Sequence, residues 1–199
     1  MASPSIGCAV LAAGASRRLG RPKQLLSYRG QPLLLRAVEA AFQSLATRVA
    51  VIVGAGRRVA NVLVSGGTRA EVIENPHWQQ GMSSSVRAAA AWARARDCDA
   101  VLLAVADQPH LSAAHLNALF AASDSATRIV ASGYASLLGV PALFPSHMFH
   151  RLEALSGDVG ARSLLRQCPS EIAAVAWPEG AEDIDTAADI ASYAGLIVD

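Results

Sequence analysis

Residues 8–24 read Cys8-Ala9-Val10-Leu11-Ala12-Ala13-Gly14-Ala15-Ser16-Arg17-Arg18-Leu19-Gly20-Arg21-Pro22-Lys23-Gln24. The apolar run from Gly7 to Leu11 has the length and flanks of a buried parallel strand. It breaks into small residues, two glycines and four cations, Arg17, Arg18, Arg21 and Lys23. Backbone poor in side chains lets successive N–H groups turn toward one anion, and Gly14 and Gly20 can take conformations closed to other residues. Four cations so close together repel one another without an anion among them. The loop is therefore read as a polyphosphate site, the plainer alternative being a small-residue turn that holds nothing. It is not a Walker-type P-loop, because no Gly-Lys-Ser/Thr ends it. Its glycines also lie too far apart for the G-x-G-x-x-G dinucleotide fingerprint.

Outward from this loop, 199 residues suit one α/β domain over the whole chain, residues 1–199, with a substantial core. No repeat, low-complexity tract or long Pro/Gly/Ser linker divides it. The 17 Lys and Arg against 16 Asp and Glu leave a net charge of +1, which gives no support to a nucleic-acid or membrane-surface partner. The composition is 52% hydrophobic, much of it alanine, with no apolar run of the roughly 18 residues a membrane span needs. Met1 to Ser5 lacks the charged and apolar regions of a signal peptide. Cys8, Cys98 and Cys168 are scattered and odd in number, so they form neither a disulfide framework nor a zinc cluster. Together these features predict a soluble, cytoplasmic protein whose cysteines behave as small buried hydrophobes.

Along the chain, apolar runs alternate with helical patterns. Strands are expected near Arg48–Val53, Ala70–Glu74, Ala100–Ala106, Arg128–Ala131 and Glu171–Trp177. Helices are expected after Gln31-Pro32, where Leu34, Leu35, Val38, Ala41, Phe42 and Leu45 recur at helical spacing, and after the serine run Ser83-Ser84-Ser85. That run reads as a helix N-terminus whose hydroxyls can cap and whose free N–H groups can hold an anion. The alternation predicts a Rossmann-like, doubly wound, mostly parallel sheet with its site at the strand C-termini. Asp107 stands at such an end, after Ala-Val-Leu-Leu-Ala-Val-Ala, where a carboxylate can hold Mg²⁺ beside substrate phosphates. The alternative is a helix cap, a place Ser112 fills better. The five histidines show no ligand pairing that points to a metal, His147-x-x-His150 included, and no Ser/His/Asp set stands out.

The opening stretch resembles the signature L-A-x-G-x-S-x-R-[ML]-G-x-x-K of the MobA-like nucleotidyltransferases, which transfer NMP from an NTP to a phosphorylated acceptor. Four later stretches agree in order: Asn75-Pro76 through Gly81-Met82-Ser83-Ser84-Ser85-Val86, Ala106-Asp107-Gln108-Pro109, Gly157-Asp158-Val159-Gly160-Ala161-Arg162, and Asp183-Ile184-Asp185-Thr186. A fifth, Tyr134 to Phe144, is similar to the family's Y-x-G-x-x-G-x-P-x-L-F but has Ser136 at the first glycine and Leu137-Leu138 at more polar positions. The resemblance spans residues 8 to 189 and implies the nucleotide-diphospho-sugar transferase type of fold. It implies that Leu11, Ala12, Ala13, Gly14, Ser16, Lys23, Gly81, Met82, Ser83 and Ser84 bind the nucleotide. Arg18 and Lys23 would stabilise the departing pyrophosphate, while Asp107 and Asp185 hold Mg²⁺. On the residues alone, Asp158 and Asp185 could equally be plain helix-start carboxylates, and Arg162 could reach an acceptor phosphate.

The Leu-Ala-Ala-Gly form of the loop is that of the family's molybdenum cofactor cytidylyltransferases, its guanylyltransferases tending to Leu-Ala-Gly-Gly. The implied reaction is transfer of CMP from CTP to molybdopterin, with a molybdoenzyme of the dehydrogenase type as a partner receiving the product. Alternatives are a related transferase using GTP or a sugar phosphate, and a non-catalytic carrier of molybdenum cofactor.

Overall fold

The computed structural model describes residues 3–14, 16, 19–54, 57–167, 172–182, 184 and 196–197, with the backbone alone at 57, 58, 196 and 197. The first half runs β1 (Ile6–Ala12), β2 (Ser27–Tyr28), β3 (Gln31–Pro32), α1 (Leu33–Gln43), β4 (Arg48–Val53), α2 (Arg57–Ser65), β5 (Glu71–Glu74), α3 (Met82–Ala95) and β6 (Ala100–Val105). Then follow α4 (Ala113–Ala121), β7 (Val130–Tyr134), β8 (Leu137–Pro145), α5 (Phe149–Glu153), α6 (Arg162–Gln167), β9 (Ala173–Ala176) and β10 (Leu196–Ile197). The expected strands and the helix after Pro32 form, with ends shifted by one or a few residues where local patterns compete, and the helix expected after the serine run begins ahead of it at Met82.

Seven strands make the main sheet in the order β5-β4-β1-β6-β8-β7-β9. β1 pairs in parallel with β4 and β6, β4 with β5, and β7 with β9, whereas β8 runs antiparallel to both β6 and β7. The mostly parallel sheet thus carries one reversed strand, because Ala135 and Ser136 turn β7 straight back as a hairpin with both residues at positive φ (+49° and +60°). β2, β3 and β10 form a separate small sheet.

β1 shows why the sheet is covered on both faces. Ile6, Cys8, Val10 and Ala12 join one buried cluster with Leu34 of α1, Leu63 of α2 and Leu116 of α4. Ala9 and Leu11 join the other, with Val86 of α3, Leu152 of α5 and Leu165 of α6. A strand buried on both sides has no polar alternation, which is how β1 reads as a continuous apolar run. Each large side chain so buried contributes roughly 1.5–3 kcal/mol, and Cys8 and Cys98 pack among them as free thiols. Cys168 lies outside the described residues.

Candidate active site

A cleft of about 970 Å³ opens at the C-terminal ends of β1 and β6, where open α/β sheets place ligands. One wall comes from the loop after β1. Ser16, not Gly14, takes the left-handed conformation here (φ +49°), followed by Gly20 (φ +71°). Gly14 has open space where a Cβ would stand and carries no positive φ, which corrects the expectation that it supplies special backbone geometry. Ser16 can hold this conformation because its hydroxyl is engaged twice. It donates to Gln24 Oε1 (3.3 Å) and accepts from the Lys23 N–H (2.9 Å), while the Ser16 carbonyl accepts from the Leu19 and Gly20 N–H groups (3.0 and 3.1 Å). Leu11, Ala12, Ala13, Gly14, Ser16, Lys23 and Gln24 all line the cleft. Ala15, Arg17 and Arg18 lie outside the described residues.

Asp107 follows β6 on the cleft floor. Its Oδ2 pairs with the Lys23 ammonium, so the two residues predicted to serve phosphate and metal meet directly. Its Oδ1 is buried with no hydrogen-bond partner among the described residues. A buried, unpartnered carboxylate oxygen costs free energy, and a hard divalent cation is the group that such an oxygen suits. Asp107 therefore fits a metal ligand. Asp185 lies outside the described residues, and among those described no three His, Cys, Asp or Glu side chains gather as a cation cage.

The opposite wall begins at Gly81 and α3, where Gly81, Met82, Ser85 and Val86 face the cleft beside Trp78. The serine run lies inside the helix rather than ahead of it, with Gly81 as the N-cap at φ +101°. Ser83 and Ser84, 0% and 3% exposed, turn their hydroxyls inward instead of lining the cleft. Ser84 Oγ donates to the Gly81 carbonyl (2.8 Å) and accepts from Asn75 Nδ2 (2.8 Å), and Ser83 Oγ accepts from Arg87 (3.3 Å). The helix's first N–H groups are also already served by the chain. Met82 N–H donates to Asp158 Oδ1 and Ser83 N–H to the Gly157 carbonyl, both at 3.4 Å. Asp158 therefore caps α3, not the α6 helix that it precedes. The contact requires Gly81, since a Cβ there would come within 2.7 Å of Asp158 Cα and the Gly157 carbonyl oxygen.

The far end is built by β7, β8, α6 and the turn after β9. Tyr134 donates its hydroxyl hydrogen to the Val140 carbonyl (3.0 Å), which leaves its oxygen to accept from an Arg162 guanidinium N–H (3.3 Å). Gln108 donates to the Val140 and Gly180 carbonyls (3.1 and 3.3 Å). Behind this wall His115 stacks on Trp177 at 4.5 Å and donates from Nε2 to Ser132 Oγ (2.7 Å), whose own hydrogen goes to Pro141. Burial pushes the His115 imidazolium down to about 4, so the ring is neutral at pH 7. Gln24, Gln108 and Tyr134 are site residues that the sequence does not single out. Their one signal is position, each lying within or beside a stretch of the resemblance.

The architecture and cleft define an α/β fold of the nucleotidyltransferase type. The chain belongs to the MobA-like NTP transferase family, whose domain model matches residues 8–172. It is 32% identical to nicotine blue oxidoreductase of Paenarthrobacter nicotinovorans over 92% of this chain and 93% of that protein. It is 29% identical to the purine catabolism protein PucB of Bacillus subtilis strain 168, covering 94% of each. Among solved structures, Rv0371c of Mycobacterium tuberculosis H37Rv is 29% identical over 94% of this chain and 97% of its own, with a TM-score of 0.74. The same protein has been solved in complex with manganese.

Proposed function

We propose that this protein is a divalent-cation-dependent cytidylyltransferase that moves CMP from CTP to molybdopterin, giving molybdopterin cytosine dinucleotide and pyrophosphate. The observation that carries this reading is the meeting of Lys23 with Asp107 in the cleft, with the second Asp107 oxygen unsatisfied among the described residues. The Leu11-Ala12-Ala13-Gly14 form of the loop supports CTP as donor. The manganese complex of Rv0371c supports a divalent cation, Mg²⁺ in this proposal.

Leu11, Ala12, Ala13, Gly14 and Ser16, with Gly81, Met82 and Ser85 across the cleft, would hold the nucleotide between the two walls, and Tyr134 and Arg162 would meet the acceptor at the far end. An oxygen of the acceptor phosphate attacks the α-phosphorus, the bond to the bridging β-oxygen breaks, and pyrophosphate departs. The attacking oxygen is already ionised, so no protein base is required. The chain's contribution is alignment and charge neutralisation, with Lys23 and Arg18 taking the departing pyrophosphate. Asp107 and Asp185 would hold the cation, which supplies Lewis-acid neutralisation of phosphate charge when bound.

The test is pyrophosphate release with molybdopterin and Mg²⁺, comparing CTP, GTP, ATP and UTP. Release with CTP alone is the expected result. Release with GTP, or only with a sugar phosphate as acceptor, would reassign the substrates. Nucleotide binding without pyrophosphate release would keep the cation site and require another acceptor, whereas neither binding nor release would point to a carrier of molybdenum cofactor. One observation favours a second reading, the redox name of the relative at 32% identity. Turnover of nicotine blue by this protein, with none of any NTP, would replace the transferase reading.

A further inference from the structure

Every polar atom of the Gln24 side chain is spent on the loop that follows β1. Its Nε2 donates to the carbonyls of Ala12 (3.0 Å) and Gly14 (3.3 Å), and its Oε1 accepts from the Ser16 hydroxyl (3.3 Å). These contacts fix which end of the carboxamide is which, since the reverse orientation would set its oxygen against two carbonyls. The residue is 5% exposed and sits at the centre of a short helical turn, Lys23–Leu25. The Ser16 hydroxyl also accepts from the Lys23 N–H, and the Lys23 ammonium reaches Asp107. One buried carboxamide thus joins the loop backbone, the left-handed Ser16 and the Lys23–Asp107 pair in a continuous set of contacts. A residue such as Ser16, left-handed without being glycine, keeps that conformation only where its surroundings over-determine it, and Gln24 is a principal part of those surroundings.

We propose that Gln24 is a positioning residue that shapes the Ala12-to-Ser16 loop for nucleotide binding by drawing two of its carbonyls inward and holding Ser16 at positive φ. This rests on the reading of that loop as the nucleotide site. With the carbonyls bound to Gln24, the loop presents less negative backbone charge to a triphosphate than a relaxed loop would, and Lys23 stays aligned with Asp107. The loss of Gln24 leaves the loop without its anchor but removes nothing that a ligand touches through Lys23 or Asp107.

The test uses Gln24→Met, which keeps length and volume but makes none of the three bonds, and Gln24→Glu, which keeps an acceptor for Ser16 but loses both donors. Both are compared with the wild type at a temperature where circular dichroism shows all three folded. Two quantities are measured: the CTP dissociation constant with Mg²⁺ by calorimetry, and amide hydrogen exchange of peptides covering the loop and β6. For both variants the expected result is CTP binding weakened at least tenfold and loop exchange accelerated at least tenfold, with β6 exchange unchanged. Loop exchange like that of the wild type would overturn the proposal, as would equal acceleration in β6, the mark of a merely structural role. A Gln24→Glu variant indistinguishable from wild type would overturn it as well. If the wild type binds no NTP, the nucleotide reading fails, and the exchange data still decide whether Gln24 positions the loop.

Discussion

In the proposed reaction Asp107 would hold the cation, and it has one oxygen on Lys23 and one that meets no hydrogen-bond partner among the described residues. Its replacement by Ala would remove the proposed cation ligand and relieve a buried unsatisfied atom, a penalty of about 1–3 kcal/mol for such groups, which offsets the loss of its pair with Lys23. The melting temperature should therefore stay level or rise while pyrophosphate release falls at least about a thousandfold, a loss typical of a group acting on transition-state charge. Calorimetric melting together with the transfer assay checks both halves. Ser84 should show the reverse pattern. Its hydroxyl is buried between Gly81 and Asn75, so Ser84→Ala should cost about 1–3 kcal/mol in urea unfolding and change CTP affinity less than about threefold, well under the tenfold that 1.4 kcal/mol represents.

At the level of elements, the start of α3 is closed by chain rather than by ligand. Asp158 and the Gly157 carbonyl sit on its first N–H groups, and Gly81 makes room for them at φ +101°. Gly81→Ala sets a methyl group against backbone atoms at 2.7 Å and strains a left-handed position. It should destabilise the fold by at least about 2 kcal/mol, the scale of overpacking combined with backbone strain. Chemical denaturation reads this, and a loss under about 0.5 kcal/mol, the range of surface substitutions, would contradict the geometry. The cleft wall formed by α3 should shift with it, weakening nucleotide binding even where the protein is folded.

Across the whole molecule, His115 ties α4 to the β7–β8 hairpin and the Trp177 turn. Its imidazole is held neutral, with its pKa lowered from the ordinary 6.5 to about 4. The unfolded chain binds this proton more readily than the folded one, so stability is full above pH 6.5 and falls as the pH drops from there toward 4. The loss approaches at most about 3 kcal/mol at the lower end, since each tenfold difference in proton affinity between the folded and unfolded chain is worth about 1.4 kcal/mol. Urea unfolding from pH 7 to pH 4 should show this slope in the wild type on top of the carboxylate contribution that every variant shares. His115→Leu should lose the His115 part, and equal slopes for the two proteins would remove the histidine from the account.

Much of this protein was legible in its residues. The run from Gly7 to Leu11 announced a strand buried on both faces because helices cover both sides of a parallel sheet and leave no polar alternation. The ordered short stretches indicated the family, and Asp107 stood out because a carboxylate at the end of a buried strand has few structural uses. Contacts between residues distant in the chain were decided by tertiary structure alone. No local pattern shows that Asp158 caps a helix beginning 76 residues earlier, that the Ser83 and Ser84 hydroxyls turn inward, or that β8 runs against its neighbours. Gln24 and Tyr134 likewise acquire their roles from carbonyls that only the folded chain brings within reach. Hydrophobic period and side-chain chemistry are local properties and survive in the sequence, whereas the partner of each polar atom depends on where the rest of the chain comes to lie.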